Sequence, residues 1–429
     1  MKKYNSISKL ANSNLQFEKW KSKISFGLLL FGFGLFPSFS FSQVLPLDTV
    51  LYRIEQNNPM LRMYVEQINA INYYSHGAKS WMPPTLSTGP WQLPYTSFKD
   101  GMWMITAEQM IPNPAKQKAN YNYMQGMAPV EKQGREAKKN ELFATAKENY
   151  YEWIVLRKKI TVVVQTDSLL NYIVRIARLR YTYNKEKLSN VYKAEADLYE
   201  WRNMETMIRG DMQMKNVEIN TLMNLDRSFV FTVDTMFRIE GYDEQLPDTA
   251  LISGSRSDIR QLDASIDLVK LQQEMERSKR LPEFGVSFTH MESLGTLPNQ
   301  FSAMGSVTIP IVPWASREYK ANIKGLDATA NAIHFQKQSL LNETLGMISS
   351  LQTEIKSTKQ QLANYTDQII PALFLSYKSS MVAYEQNTED LFVVLEGLKM
   401  YSMARINQLD QLNTLLKLQV DFEKQMEIR

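Results

Sequence analysis

Side chains able to do chemistry are few in this sequence, and they are scattered. Three histidines, His76, His290 and His334, lie far apart. None forms the HxH or HxxxH pair of a zinc hydrolase. Cysteine is absent, which removes disulfides, thiolate metal sites, cysteine nucleophiles and a lipid-modified N-terminal cysteine. No GxSxG, phosphate-loop, HExxH or paired catalytic-carboxylate motif stands out. The chain therefore reads as no enzyme, with no catalytic residue and no cofactor. Softer chemistry is offered by 23 methionines, locally grouped as Met60/Met63, Met102/Met104, Met204/Met207 and Met212/Met214. Thioethers bind Cu(I), a soft ion. Methionine also fills gaps in coiled coils and barrels, and no group places three together at helical spacing. No metal ligand is assigned.

Carboxylates supply the remaining chemistry. Glu389 and Asp390 follow a helix break at Asn387-Thr388, shortly after Tyr384, and Lys185, Glu186 and Lys187 stand at an earlier break near Tyr183-Asn184. Acids at such places cap the helix that follows. Gathered from several copies of a chain they form a ring that favours cations. The two roles are compatible.

The elements that carry these breaks are laid out twice. Asn58-Pro59 opens an amphipathic stretch ending at Trp81-Met82-Pro83, and Ser257-Asp258-Ile259 opens another ending at Arg280-Leu281-Pro282. After each comes a strand-like segment, a polar loop, a second strand-like segment and a proline cluster. The clusters are Pro112-Asn113-Pro114 and Pro310-Ile311-Val312-Pro313-Trp314. In the second half, Phe284, Val286 and Phe288 alternate with small or polar residues, as do Phe301, Ala303, Gly305, Val307 and Ile309. Period two with one apolar face is the strand signature. In the first half, Thr85–Leu93 and Gly101–Ile111 are the weaker counterparts, the former interrupted by Pro90. Trp81, Trp91, Trp103 and Trp314 fall near strand ends, where an interfacial girdle or simple strand–helix packing would place them.

Each half then turns helical. No Gly or Pro occurs between Gly134 and Gly210. Apolar residues recur there in steps of three or four, from Leu142 and Ala146 to Leu170 and Ile173. The spacing predicts a long hairpin with a return arm capped by Ser189-Asn190 and ending near Asn224. A second is predicted with arms from about Arg317 to Tyr384 and from Glu389 onward. Between the halves, Phe229–Val233 could add a short strand, and Gly241, Pro247 and Gly254 mark loops.

Residues 1–42 carry six lysines and one acid, leaving the rest of the chain nearly neutral. A basic body for nucleic acid is not supported, and no nucleic-acid partner is expected. Within this segment the apolar run Ile24–Phe36 suits a secretory signal and is too short to span a bilayer. A cut is expected before Gln43. Domains are predicted as a signal peptide 1–42, a first repeat 43–226, an equatorial linker 227–255 and a second repeat 256–429. Four membrane-grade strands cannot close a barrel alone, so spanning would require several chains.

In this order the motifs resemble the TolC-type outer-membrane efflux proteins. The resemblance rests on Asn58-Pro59, the proline-ended helices before strands, the duplicated strand–strand–helix–helix order and Gln368-Ile369-Ile370-Pro371-Ala372. Gln109–Lys116 and Ile309–Trp314 look like the CusC/CzcC metal-efflux branch. That branch commonly has Gly before the motif lysine, where this chain has Ala115. The resemblance implies a mainly α fold with a small β part. Long helical hairpins would form a periplasmic tunnel, and four strands per chain would enter a trimeric, twelve-stranded outer-membrane β-barrel. It implies a passive exit duct, with heavy-metal cations as one cargo. Its partners would be a homotrimer, a periplasmic adaptor (membrane fusion protein), an inner-membrane pump of the resistance-nodulation-division class and outer-membrane lipid. Phe284, Val286, Phe288, Phe301, Ala303, Val307 and Ile309 would then face lipid. Inner helix ends close the tunnel at the tip in that family, so Glu389, Asp390, Lys185, Glu186, Lys187 and Tyr384 are the candidate gate. A coiled-coil adaptor without a pore is the competing reading. Such adaptors usually have one hairpin between glycine-rich β domains, whereas this chain has two.

Overall fold

A computed structural model describes residues 43–97, 100–244 and 249–428. The expected signal segment and the loop residue Pro247 lie outside the described residues. In chain order the elements are β1 (Gln43–Leu45), α1 (Leu47–Asn57), α2 (Pro59–Gly77), β2 (Thr85–Trp91), β3 (Met102–Ile111), α3 (Pro114–Thr182), α4 (Leu188–Leu222) and β4 (Phe231–Val233). Then follow α5 (Thr249–Ser255), α6 (Ser257–Ser278), β5 (Phe284–Ser293), β6 (Gln300–Val307), α7 (Pro313–Asn364), α8 (Ile370–Glu385) and α9 (Leu391–Met426). The fold is mainly α with one four-stranded sheet, as the sequence predicts.

Helix α3 is the spine. Its 69 residues extend about 100 Å at 1.5 Å per residue, and it packs against α2, α4, α6 and α9. Prolines start the helices that leave each strand pair: Pro114 and Pro313 occupy first-turn positions, where a missing N–H costs nothing. Asn113 caps α3 by accepting the Ala115 N–H at 3.0 Å. Its amide also donates to Pro282 O at 3.0 Å, tying the first repeat to the second.

The helices stop by one repeated device. Asn184, Asn224, Asn387 and Glu427 adopt left-handed φ of 57°, 55°, 61° and 51°. At the first tip the Lys185 N–H donates to Arg180 O at 2.9 Å, and the Asn184 N–H to Tyr181 O at 3.0 Å. Thr388 with Ala383 and Asn387 with Tyr384 repeat those bonds at the second tip, at 2.9 and 3.0 Å. This double bond satisfies carbonyls that the helix end would otherwise orphan.

Several details depart from the sequence reading. The arm expected from Arg317 to Tyr384 is interrupted by a π turn at Tyr365–Ile369, where the Ile370 N–H reaches Tyr365 O. Pro371 lacks an N–H and crowds the carbonyl four residues back, and the wider turn accommodates it. Helix α4 begins at Leu188 with Lys187 as its cap residue, so Ser189 and Asn190 lie inside the first turn. Among the described residues no side chain caps the first-turn N–H groups, and the Glu186 carboxylate braces the turn before them. It accepts the Lys187 N–H at 2.9 Å and the Asn190 side-chain amide at 2.8 Å. Gly254 lies within α5 and not in a loop. An isolated glycine costs a helix about 1 kcal/mol, and burial of Ile252 on the same helix offsets it. Strand β4 forms inside Phe229–Val233, but it pairs in parallel with β1, which alternation did not reveal.

That small ribbon seats on α3. Tyr150 OH donates to Leu45 O at 2.8 Å and accepts the Asp234 N–H at 2.9 Å. Burial pushes its phenol up to about 12. Trp153 meets Phe231 edge-on at 5.0 Å. Nearby, Lys147 reaches Glu423 at 2.5 Å, and Tyr242 OH donates to the other oxygen of Glu423 at 3.1 Å, joining α3, α9 and the linker.

The left-handed helix ends give a clean test. Asn224→Gly should leave the urea midpoint, followed by circular dichroism, nearly unchanged. Asn224→Val should lower stability by about 1–2 kcal/mol, the cost of a side chain with a bulky Cβ in that conformation.

Candidate functional site

Two places bring together the residues singled out above: the four-stranded sheet and the hairpin tips. The sheet runs β2-β3-β5-β6, every neighbour antiparallel. Its centre is the pairing of β3 with β5, which fuses the hairpins of the two repeats. Phe288 stands opposite Ala107 on one side and Ala303 on the other. Opposed residues share a face. One face therefore collects Leu86, Ile105, Ala107, Val286, Phe288, Ala303, Phe301 and Val307, with Thr88, Gln109, His290 and Glu292 as its polar members. The large side chains among these are exposed. Phe288 and Phe301 stack at 6.1 Å. The other face carries Ser87, Thr106, Glu108, Ser287, Thr289, Ser302 and Ser306, with Met104, Met291 and Met304 among them. Thr106 and Thr289 share a hydrogen bond of 2.9 Å there.

Of the predicted wall residues, Phe284, Val286, Phe288, Phe301, Ala303 and Val307 lie in β5 or β6 on the apolar face. Ile309 does not lie in the strand, because β6 ends at Val307. The pairing explains the end: Phe284 faces Val307, the Thr308 N–H still donates to Glu283 O at 2.9 Å, and the partner of Ile309 would be Pro282, which has no N–H. Strands β2 and β6 are the sheet edges, and neither has an outer partner among the described residues. Pro90 sits on the β2 edge, where a missing donor is tolerated. Trp91 and Trp103 stand at the loop end of the sheet and Trp81 and Trp314 at its helix end, all exposed. Trp103 Nε1 donates to Thr88 Oγ1 at 2.9 Å.

At the tips, α3, α4, α8 and α9 share one apolar core that includes Ile173, Val191, Leu198, Met381 and Leu395. Tyr384 closes it at 2% exposure. Its hydroxyl donates to Glu186 Oε2 at 2.8 Å, from the second hairpin to the first. The Arg180 guanidinium lies 4.1 Å from the centre of the Tyr384 ring and donates to Asn387 Oδ1 at 2.6 Å. Burial, with the Glu186 charge adding to it, pushes the Tyr384 phenol up to about 12. The hydroxyl therefore stays a donor below about pH 10. A folded value raised above the ordinary one of about 10 means that this contribution is full below pH 10 and is lost as pH climbs toward 12.

The acids of the second tip are used differently. Asp390 caps α9 by accepting the Phe392 N–H at 2.8 Å, and Glu389 accepts the Asp390 N–H at 3.0 Å. Both are exposed, as are Lys185 and Lys187. Within one chain the structure brings Tyr384 to Glu186. It brings neither Tyr384 nor the two lysines to Glu389 or Asp390. Arg180 was missed as a tip residue, and Asn387 reads only as part of the break, since nothing in their own spacing marks the contact between hairpins. No cluster of three or more His, Asp or Glu able to hold a metal occurs among the described residues, and no described helix is long and apolar enough to cross a membrane.

The tip contacts can be tested directly, because the chain has no cysteine to interfere with labelling. Tyr384→Phe should strand Glu186 Oε2 and loosen the junction. Spin labels at Lys185→Cys and Glu389→Cys should show a broader distance distribution by double electron–electron resonance than in the otherwise unaltered protein. An unchanged distribution would mean that packing alone holds the tips.

No protein-family model matches the chain, and no curated protein matches it. Solved structures do. The chain is similar to the outer-membrane channel OprN, at 12% identity and a TM-score of 0.72 over 89% of each chain. It is similar to CusC, whose structures describe transmembrane channel formation, at 11% identity and a TM-score of 0.71 over 89% of this chain and 91% of that one. It is also similar to the outer membrane protein VceC of Vibrio cholerae, at 13% identity and a TM-score of 0.70 over 89% and 95%. The chain has the fold of these proteins, the TolC-like fold.

Proposed function

We propose that this chain, which has the TolC-like fold, is a member of that family and one of three identical subunits of an outer-membrane exit duct. The observation that carries the reading is the open sheet, with one face apolar and exposed and both edges unpaired. Unpaired edges are not tolerated in lipid, and four strands are too few to close. Joining the β2 edge of one copy to the β6 edge of the next is a head-to-tail contact, which generates a ring when the rotation closes. Three copies would supply twelve strands. Ten residues of β5 extend about 33 Å, and a tilt of about 45° brings that near the 25 Å apolar band of such barrels.

Helix faces support the same closure. On the β2 side, α2 leaves Met60, Met63, Tyr73 and Tyr74 exposed. On the β6 side, α7 leaves Phe335 and Met347 exposed. The ranges 43–226, 227–255 and 256–429 are retained as first repeat, equatorial linker and second repeat, after an export signal over 1–42. The duct is passive and performs no chemistry. Its partners are a periplasmic adaptor and an inner-membrane pump of the resistance-nodulation-division class, and heavy-metal cations are one cargo, as the resemblance of Gln109–Lys116 and Ile309–Trp314 implies. The gate is the tip. Glu389 and Asp390, repeated three-fold, ring the axis, with Lys185 and Lys187 nearby, and the Tyr384–Glu186 contact holds the two hairpins of each subunit together.

Two experiments test this. Phe288→Asp or Val307→Asp puts a charge on the lipid face. The cost is below the roughly 2–4 kcal/mol of a midplane Arg or Lys, but it recurs in every subunit. Trimer recovered from membranes should fall, and an unchanged yield would show that this face does not meet lipid. Glu389→Gln with Asp390→Asn should lower cation selectivity in planar bilayers with little change in abundance, since exposed charges at a helix start contribute only about 0.3–1 kcal/mol. Unchanged selectivity with reduced stability would leave these acids as helix caps alone.

A further inference from the structure

We propose, resting on the duct reading above, that the junction between β6 and α7 binds the anionic phosphate headgroup of a membrane lipid. Arg317, Lys320 and Lys324 recur in steps of three and four along the first turns of α7, so they share one face. All three are exposed. Among the described residues none of them meets a carboxylate. Glu318, the one acid between Pro313 and Gly325, bridges none of them. Lys320 has a single neutral partner, Ser316 Oγ at 3.2 Å. The start of α3 differs: there Lys116 is already paired with Glu283 at 2.9 Å. Like charges on one helix face repel unless an anion sits among them.

The three cations border a cavity of about 440 Å³ that also touches Ile311, Pro313 and Ser316. Directly before it, Ile309, Ile311 and Trp314 are exposed, Trp314 by 80%. Ile309 lies two residues past the end of the strand and adds exposed apolar surface next to the sheet. Apolar surface, then an aromatic ring, then long cationic side chains is the order found at a bilayer boundary. A free phosphate would satisfy the cations and leave the isoleucines and Trp314 in water. A phospholipid covers both with one molecule, its acyl chains on the apolar strip and its phosphate among the cations.

The full-length protein, purified as its trimer in non-ionic detergent, is titrated with short-chain phosphatidylglycerol or with phosphatidylcholine of equal chain length, and bound lipid is counted by native mass spectrometry. Phosphatidylglycerol should bind in preference. Arg317→Gln with Lys320→Gln and Lys324→Gln should weaken it by about fivefold for each cation removed, with phosphatidylcholine unaffected. Lys320→Gln alone provides the same readout if the triple variant assembles poorly. Equal binding of the two lipids, or undiminished phosphatidylglycerol binding by the variants, overturns the proposal. Displacement of phosphatidylglycerol by an equal concentration of inorganic phosphate assigns the site to free anions and also overturns it. A conducting trimer without lipid preference removes the lipid site and leaves the duct. Absence of a membrane-embedded trimer in the unaltered protein removes both.

Discussion

A four-stranded sheet cannot satisfy its own edges, and the rest of this molecule is arranged around that fact. The outward-facing N–H and C=O groups along β2 and β6 have no strand partner among the described residues. In water such edges would be hydrated and prone to indiscriminate pairing. In lipid each unsatisfied group costs several kcal/mol, so the edges must be closed. The apolar face built on Phe288, Val286 and Phe301 makes lipid the suitable surroundings for this sheet. In the proposed duct the edges are closed by copies of the same chain, and the helices beneath leave apolar side chains exposed on both flanks.

The two halves solve the same local problems with the same devices and diverge where they meet different neighbours. Both hairpins turn through a left-handed asparagine with the same pair of backbone bonds. Both α3 and α7 start with a proline in the first turn. Yet only the second ascending arm contains a π turn, forced by Pro371, and only the start of α7 leaves three cations unpaired. A π turn shifts the faces of the helix beyond it. That lets α8 present Tyr377, Met381 and Tyr384 to the first hairpin.

At the tip, the strongest interaction between hairpins is not the one that exposed charges would suggest. Glu389 and Asp390 are at the surface and engaged with the α9 backbone, where water screens their charges. The Tyr384–Glu186 bond lies at the edge of an apolar core, where an unmade hydrogen bond is costly. Arg180 lies over the same ring and holds Asn387, so one phenol, one carboxylate and one guanidinium couple both turns.

What the sequence determines by itself is local. Proline positions, helical steps of three and four and strict alternation in β5 and β6 establish the duplicated order, the two hairpins and the apolar face, because those signals act within a few residues. The resemblance to TolC-type proteins rests on the same ordered signals, and likeness to solved structures agrees with it at the level of fold. Tertiary structure decides the rest. Pairing of β3 with β5 joins residues almost 200 positions apart, and no spacing within either half announces it. Ile309 has the right parity for the wall but lies beyond the strand, because its cross-strand neighbour would be Pro282. Ser189 and Asn190 look like a cap, but the helix already starts at Leu188, so both fall inside its first turn. Tyr384 bonds to Glu186 because the shared core brings α8 against the first hairpin, and a contact of that kind depends on packing between segments, which the order of residues along either one does not encode.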